Sequence, residues 1–203
     1  YGAKMIAAAD SVEEKSLYTL FSADETKHRM MIEKFLEASF ERDIRFHPLL
    51  PALELCLEKG SKEAMVYTIQ VLLEGFGIFH YSYLRDSTCS VSLKNALNLI
   101  LKDEAGHHGM GVILTERMEL SKEAKEQILE LTSMFVKSLL QASWLTQVVG
   151  EVDGGLSKEQ QEKFHREIEY DAQLHQRKQK IRNLFNKTGS QNFIGYLEKN
   201  NIL

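Results

Sequence analysis

Two copies of one pentapeptide carry the chemistry legible in this chain. Asp24-Glu25-Thr26-Lys27-His28 and Asp103-Glu104-Ala105-Gly106-His107 both read Asp-Glu-x-x-His, and their starts lie 79 residues apart. With seven His and 22 Glu among 203 residues, about one Glu-x-x-His arises by chance, and requiring the preceding Asp lowers that to roughly 0.03. A third Glu-x-x-His, Glu162 to His165, sits among Lys158, Glu159, Lys163, Arg166, Glu167 and Glu169 and reads as a solvated face.

The spacing has a physical meaning. Side chains three apart on a helix share a face, so the Glu and His of each copy converge on one point. The carboxylate bridges or chelates a metal ion, and a neutral imidazole supplies a nitrogen ligand. Asp24 and Asp103 fall on neighbouring faces. Each is either a solvated acid or the partner that holds the second nitrogen of a ligating imidazole. A fifth candidate comes from elsewhere: between Ala64 and Leu84 the one charged residue is Glu74. A helix apolar on almost every side is a buried one, and its carboxylate must be protonated, paired or bound to metal. Two Glu-x-x-His helices plus Glu74 assemble two His and three carboxylates, a set suited to a pair of iron or manganese ions within a four-helix bundle.

The elements that position these residues are helices. Ser11 with Glu14, Ser61 with Glu63, Ser121 with Glu123 and Ser157 with Gln160 read as helix starts. Apolar residues recur between them at three- and four-residue spacing, predicting helices near 1–9, 12–41, 62–85, 91–119, 122–152, 158–187 and 191–199. The Pro-bounded stretch His47 to Pro51 begins a connection that ends in a short helix near 52–59. Only two Pro and no sustained alternation exclude a β-sandwich or barrel, and the fold class is all-α. Gly75, Gly77, Gly106, Gly109 and Gly111 beside the ligands either open space or allow close packing. Tyr18 and Tyr81, two turns from Glu25 and Glu74, are core residues or carriers of protons and electrons.

Composition narrows the setting. The net charge is −4 with no basic block, which excludes a nucleic-acid footprint. No apolar run reaches the ~18 residues of a membrane span, and no signal peptide opens the sequence. Cys56 and Cys89 make no disulfide framework, so a reducing, cytoplasmic location is expected.

The motifs together resemble the ferritin-like di-iron carboxylate superfamily, in its oxygen-activating branch. That branch includes ribonucleotide reductase small subunits, bacterial multicomponent monooxygenases, acyl-carrier-protein desaturases and aldehyde-deformylating oxygenases. Glu25, His28, Glu74, Glu104 and His107 match five of the six family ligands in order. Glu74-Gly75-Phe76-Gly77-Ile78-Phe79-His80-Tyr81 looks like the third-helix segment of the aldehyde-deformylating oxygenases, which implies a catalytic candidate in Tyr81. Where the reductases carry their radical Tyr, this chain has Ile32, which speaks against that activity.

The resemblance implies one ferritin-like domain over residues 1–203, with a metal-binding core at 1–120 and covering helices at 121–203. It implies two Fe ions, or Mn or a mixed pair, and use of O2 to oxidise a small or fatty organic substrate. An external electron donor, a reductase or ferredoxin, and a monomer or small homo-oligomer complete the expectation. The rival expectation is an iron-handling protein that stores iron, oxidises it or scavenges peroxide. Phe21, Ile32, Ile78, Tyr81, Leu97, Ile100 and Leu101 near the ligand faces suit an organic substrate better than an ion path. The family's sixth ligand comes from its first helix. Glu25 lies 14 residues, or ~21 Å, beyond Ser11, so an antiparallel first helix reaches its level about five positions before Tyr1. Glu13 and Glu14 lie some three turns away and cannot share the site.

Overall fold

A computed structural model describes residues 1–35, 49–140, 155–167, 170–187 and 191–203. The described elements are helical and include no strand: the chain is all-α. In order they are α1 (Gly2–Ala8), α2 (Val12–Glu33), α3 (Leu49–Lys59) and α4 (Lys62–Met65). A π-helical stretch (Val66–Leu73) leads into α5 (Glu74–Ser87), followed by α6 (Val91–Arg117) and α7 (Lys122–Leu140). The last three are α8 (Lys158–Glu167), α9 (Tyr170–Lys187) and α10 (Gln191–Lys199).

The helix starts follow the cap chemistry. The hydroxyl of Ser11 accepts from the Glu14 amide at 3.1 Å, that of Ser61 from Ala64 at 3.2 Å, and that of Ser121 from Ala124 at 3.0 Å. Ser157 and Gln160 form a reciprocal box, each side chain accepting from the other's amide. Other boundaries depart from expectation. The helix predicted over 12–41 ends at Glu33, where Phe35 turns back to bond the Ile32 carbonyl at 2.9 Å and tightens the last turn. Residues 36–41 of that prediction, and His47-Pro48, lie outside the described residues. The short helix expected at 52–59 begins at Leu49. Pro51 falls in its first turn, where a missing N–H costs no helical bond. Residues 141–152 and 168–169 of the predicted later helices also lie outside the described set.

The contacts divide the chain into two compact units. The first contains α1, α2, the end of α3 from Cys56, and everything from there to Ile128 in α7. The second contains α3 up to Leu55, α7 from Leu129, and α8 to α10. In the first unit, every residue from Ala64 to Leu72 is buried, the polar Thr68 and Gln70 included, whereas from Leu73 to Leu84 only Gly75 is, so the expected burial of this helix holds for its first half alone. α6 packs on the π stretch and on α5, and α2 packs on α1 and α6. Leu97 and Ile100 of α6 are fully buried, each contributing about 1.5–3 kcal/mol of hydrophobic stabilisation. Lys62 ties the start of α4 to the α1–α2 corner through Asp10 at 2.6 Å and Glu14 at 2.8 Å. A Cβ on Gly2 would overlap the Ser22 hydroxyl. α1 therefore lies one turn short of the Glu25 level at Gly2, a closer register than the expected five positions before Tyr1.

In the second unit, Phe135, Val136, Ile181, Phe185 and Leu197 are buried, and Arg182 pairs with Glu198 at 3.1 Å. α8 buries none of its residues, in keeping with the solvated reading of Glu162 to His165.

Candidate metal centre

The site lies within the first unit, where α2, α5 and α6 meet. Glu25 and His28 project from α2, Glu104 and His107 from α6, and Glu74 opens α5 directly after the π stretch. The Glu74 amide bonds the Ile69 carbonyl, five residues back. A π turn rotates the next residues about the helix axis relative to their α-helical positions, and such turns recur at functional sites.

Ligand atoms of Glu25, Glu74, Glu104 and His107 all lie within 4.8 Å of one another. His28 joins them through its Nδ1, 3.4 Å from Glu104 Oε1 and 3.9 Å from Glu25 Oε2. His107 Nδ1 lies 3.3 Å from Glu25 Oε1 and 3.5 Å from Glu104 Oε2. Two carboxylates thus span two imidazoles, each acid presenting one oxygen to each ring, with the ring centroids 6.2 Å apart. The five expected residues are brought together.

The acids before each Glu act crosswise. Asp103 of the second copy lies 3.1 Å from His28 Nε2, and Asp24 of the first lies 3.5 Å from His107 Nε2. Each imidazole is therefore held by the other motif's Asp, with its Nδ1 turned toward the carboxylates. His108, off the ligand face, has its Nδ1 3.3 Å from the Gln70 carbonyl.

Burial is uneven. His28 is 4% exposed and His107 3%, whereas the Glu25 side chain is 51% exposed. The contacts between Nδ1 atoms and carboxylates are attractive, but they leave His28 Nδ1 and Glu104 Oε2 buried without a hydrogen-bond partner. Orphaned buried polar atoms are costly and rare. A metal ion held by these side chains would satisfy both at once. The donors are oxygen and imidazole nitrogen with no thiolate, a set that could hold a metal ion.

The charges in the metal-free site follow from its geometry. Burial, then contact with Glu104 and its negative charge, push the Glu74 carboxyl far above the ordinary carboxylate range. Burial alone would raise Glu104 too, but contacts with His107, His28 and Glu74 outweigh it and hold that carboxyl well below its usual value. For His107 burial disfavours the charge, yet Glu104 and Glu25 prevail and push it up to about 10. His28 is raised in the same way, against burial, by Glu104 and Asp103. These shifts favour the protonated forms of Glu74 and His107 and so load the pocket with protons. Tyr81 is half-buried; burial first, then the charges of Glu104, Glu25 and Glu74, push its hydroxyl up to about 12.

Two neighbours were not singled out by the motif. Lys27, inside the first pentapeptide, places Nζ 2.8 Å from Asp24 and 2.6 Å from Asp103. Phe21, one turn before Glu25, packs its ring 4.1 Å from that of His107. Helical spacing alone placed Phe21 near the ligand face, whereas nothing in the sequence distinguished Lys27 from a solvated charge. No family model, curated protein or solved structure matches this chain.

Proposed function

We propose that this chain is a ferritin-like di-iron oxidoreductase, which uses O2 to oxidise a small or fatty organic substrate. The observation that carries the reading is the reciprocal cluster, in which Glu25 and Glu104 each face both His28 and His107. Glu25, His28, Glu74, Glu104 and His107 would hold two iron ions, or manganese in their place. Bound there, ferrous ions would supply the reducing chemistry for O2, with an external reductase or ferredoxin replenishing electrons.

The chain's own residues do the rest. Asp24 and Asp103 fix the orientation of the rings, so that each presents Nδ1 inward. Glu74 would give up its proton in holding a metal ion. Tyr81 keeps a proton on its hydroxyl within the field of the three acids. Phe21, packed against the His107 ring, is the apolar neighbour that limits water there, and Leu97 and Ile100 are core residues of the same ligand helix.

One observation favours the iron-handling alternative: the half-exposed Glu25 gives a cation a carboxylate at the surface. Anaerobic Fe²⁺ titration, followed by O2 exposure and size-exclusion chromatography, separates the two. The oxidoreductase reading expects saturation at about two ions per chain, O2 consumption and a small assembly. Absence of binding would reject the metal site altogether. A large hollow assembly taking up many tens of iron atoms per chain would replace the oxidoreductase reading with storage.

A further inference from the structure

The doubled motif is not symmetric. The position that is Lys27 in the first copy is Gly106 in the second, so one ammonium faces two acids. Its Nζ lies 2.8 Å from Asp24 Oδ1 and 2.6 Å from Asp103 Oδ2. The opposite oxygen of Asp24 lies 3.5 Å from His107 Nε2, while Asp103 Oδ2 itself lies 3.1 Å from His28 Nε2. Lys27 is thus the one described cation touching both acids, and through them it reaches both rings. Two carboxylates facing adjacent rings repel each other unless a positive charge lies between them. The Lys27 side chain is 46% exposed, and those of Asp24 and Asp103 are 32% and 23% exposed. At such exposure an ion pair adds little to fold stability. What a charge-assisted bond to each acid does supply is direction.

We infer that Lys27 is a positioning residue that couples the two halves of the metal centre, setting both imidazoles at once by holding Asp24 and Asp103 in their crossed contacts. The inference rests on the metal-binding reading above. Its consequence is that losing one surface ammonium weakens both ion positions together, although Lys27 sits within one motif only. Loss of an outer partner of a metal ligand typically costs about 10–100-fold in metal affinity, and the lower figure applies here because Lys27 acts at one remove.

The fold offers a built-in control. Gly106 is exposed, and an added Cβ there meets no atom within 4 Å. A lysine at that position stands three residues after Asp103, as Lys27 stands three after Asp24. Moving the ammonium from one copy to the other should therefore recreate the bridge. The test is anaerobic titration with Fe²⁺ alone of the full chain, as wild type, Lys27→Met, Lys27→Arg, and the pair Lys27→Ala with Gly106→Lys.

The expected result is that Lys27→Met weakens both binding steps about tenfold with little change in melting temperature, and that Lys27→Arg and the transposed pair recover most of the loss. Unchanged affinities in Lys27→Met, loss at one step only, or no recovery on transposition would overturn the inference. If the wild type binds no iron, the metal reading fails on its own, and the positioning role is read in the metal-free chain. There, ¹⁵N-histidine spectra of Lys27→Met should show the Nε2–H signals of both His28 and His107 broadened by faster exchange, and unaltered signals would reject it.

Discussion

Asp103 lies 3.1 Å from the Nε2 of His28, a residue of the other motif, and this crossing is the relationship on which the site turns. Glu104 and His107 stand on α6 with Asp103, yet Asp103 serves a ring on α2, and Asp24 returns the contact to His107. The two helices are therefore joined by these acids as well as by the contacts of Glu25 and Glu104 with both rings. Asp103→Asn should weaken the ion held by His28 about 10–100-fold. In a double-mutant cycle, Asp103→Asn should add almost nothing to His28→Ala but should add its full effect to His107→Ala. Metal titration of the four variants checks this, and coupling of Asp103 to His107 instead would contradict the crossed arrangement.

The proton load of the metal-free pocket gives a pH dependence with a definite sign. His107 titrates near 6.5 when unfolded and at about 10 in the fold, so its charged form stabilises the fold fully below pH 6.5 and that gain is lost by pH 10. Glu74 acts in the same direction: the unfolded chain ionises it above its ordinary value of 4.5, while the fold keeps it neutral. Metal-free protein should therefore melt at progressively lower temperature as pH rises from 6.5 to 10. Metal ligation needs the opposite states, a neutral imidazole and an ionised Glu74, so binding must release protons and tighten with pH. Calorimetry in buffers of different ionisation enthalpy reads that release directly; metal binding without proton release would contradict the assignment.

The sequence disclosed this site unevenly, for physical reasons. Three-residue spacing fixes a shared face on any helix, so the convergence of Glu25 with His28 and of Glu104 with His107 is a local property. Glu74 was legible because a lone carboxylate in an apolar run demands a partner. Which Asp would serve which ring was not legible, since it depends on how α2 lies against α6. Lys27 was hidden because its charge, read along the chain, matches any solvated lysine. The π stretch was hidden because Val66–Leu73 carries no polar stripe to mark its period. The helix predicted to 41 showed no breaker at Lys34-Phe35, where the turn forms without Gly or Pro.

Glu74 should separate folding from ligation. Glu74 is half-buried and its carboxyl is held far above the ordinary range, so Glu74→Gln keeps the shape and a donor toward Glu104 while removing a group that favours staying protonated. The metal-free variant should melt at or slightly above the wild-type temperature. Its bound metal should nevertheless fall, because a neutral amide is a far poorer ligand than a carboxylate for a hard cation. Thermal melts with and without Fe²⁺ test both halves; metal-induced stabilisation equal to wild type would remove Glu74 from the ligand set.

The glycines of α6 divide by what faces them, and their substitutions should diverge in sign. Within a helix, Gly→Ala stabilises by about 1 kcal/mol when the new methyl finds room. At Gly109 nothing lies within 4 Å of an added Cβ, so Gly109→Ala should gain most of that amount. At Gly111 the same methyl would stand 2.6 Å from the Gln70 Cβ and 3.2 Å from its backbone carbon. Gln70 lies in the buried π stretch, and its side chain accepts a bond from the Tyr18 hydroxyl at 3.1 Å, so it has little freedom to withdraw. Gly111→Ala must push α6 away from the segment that delivers Glu74, and overpacking of this kind costs about 1–3 kcal/mol. Urea denaturation of the two variants should show Gly109→Ala more stable than wild type and Gly111→Ala less. Metal affinity should fall in Gly111→Ala alone, since only there does the methyl disturb the distance between Glu74 and the α6 ligands. Equal stabilisation by both substitutions would mean that α6 does not press on the π stretch at this point.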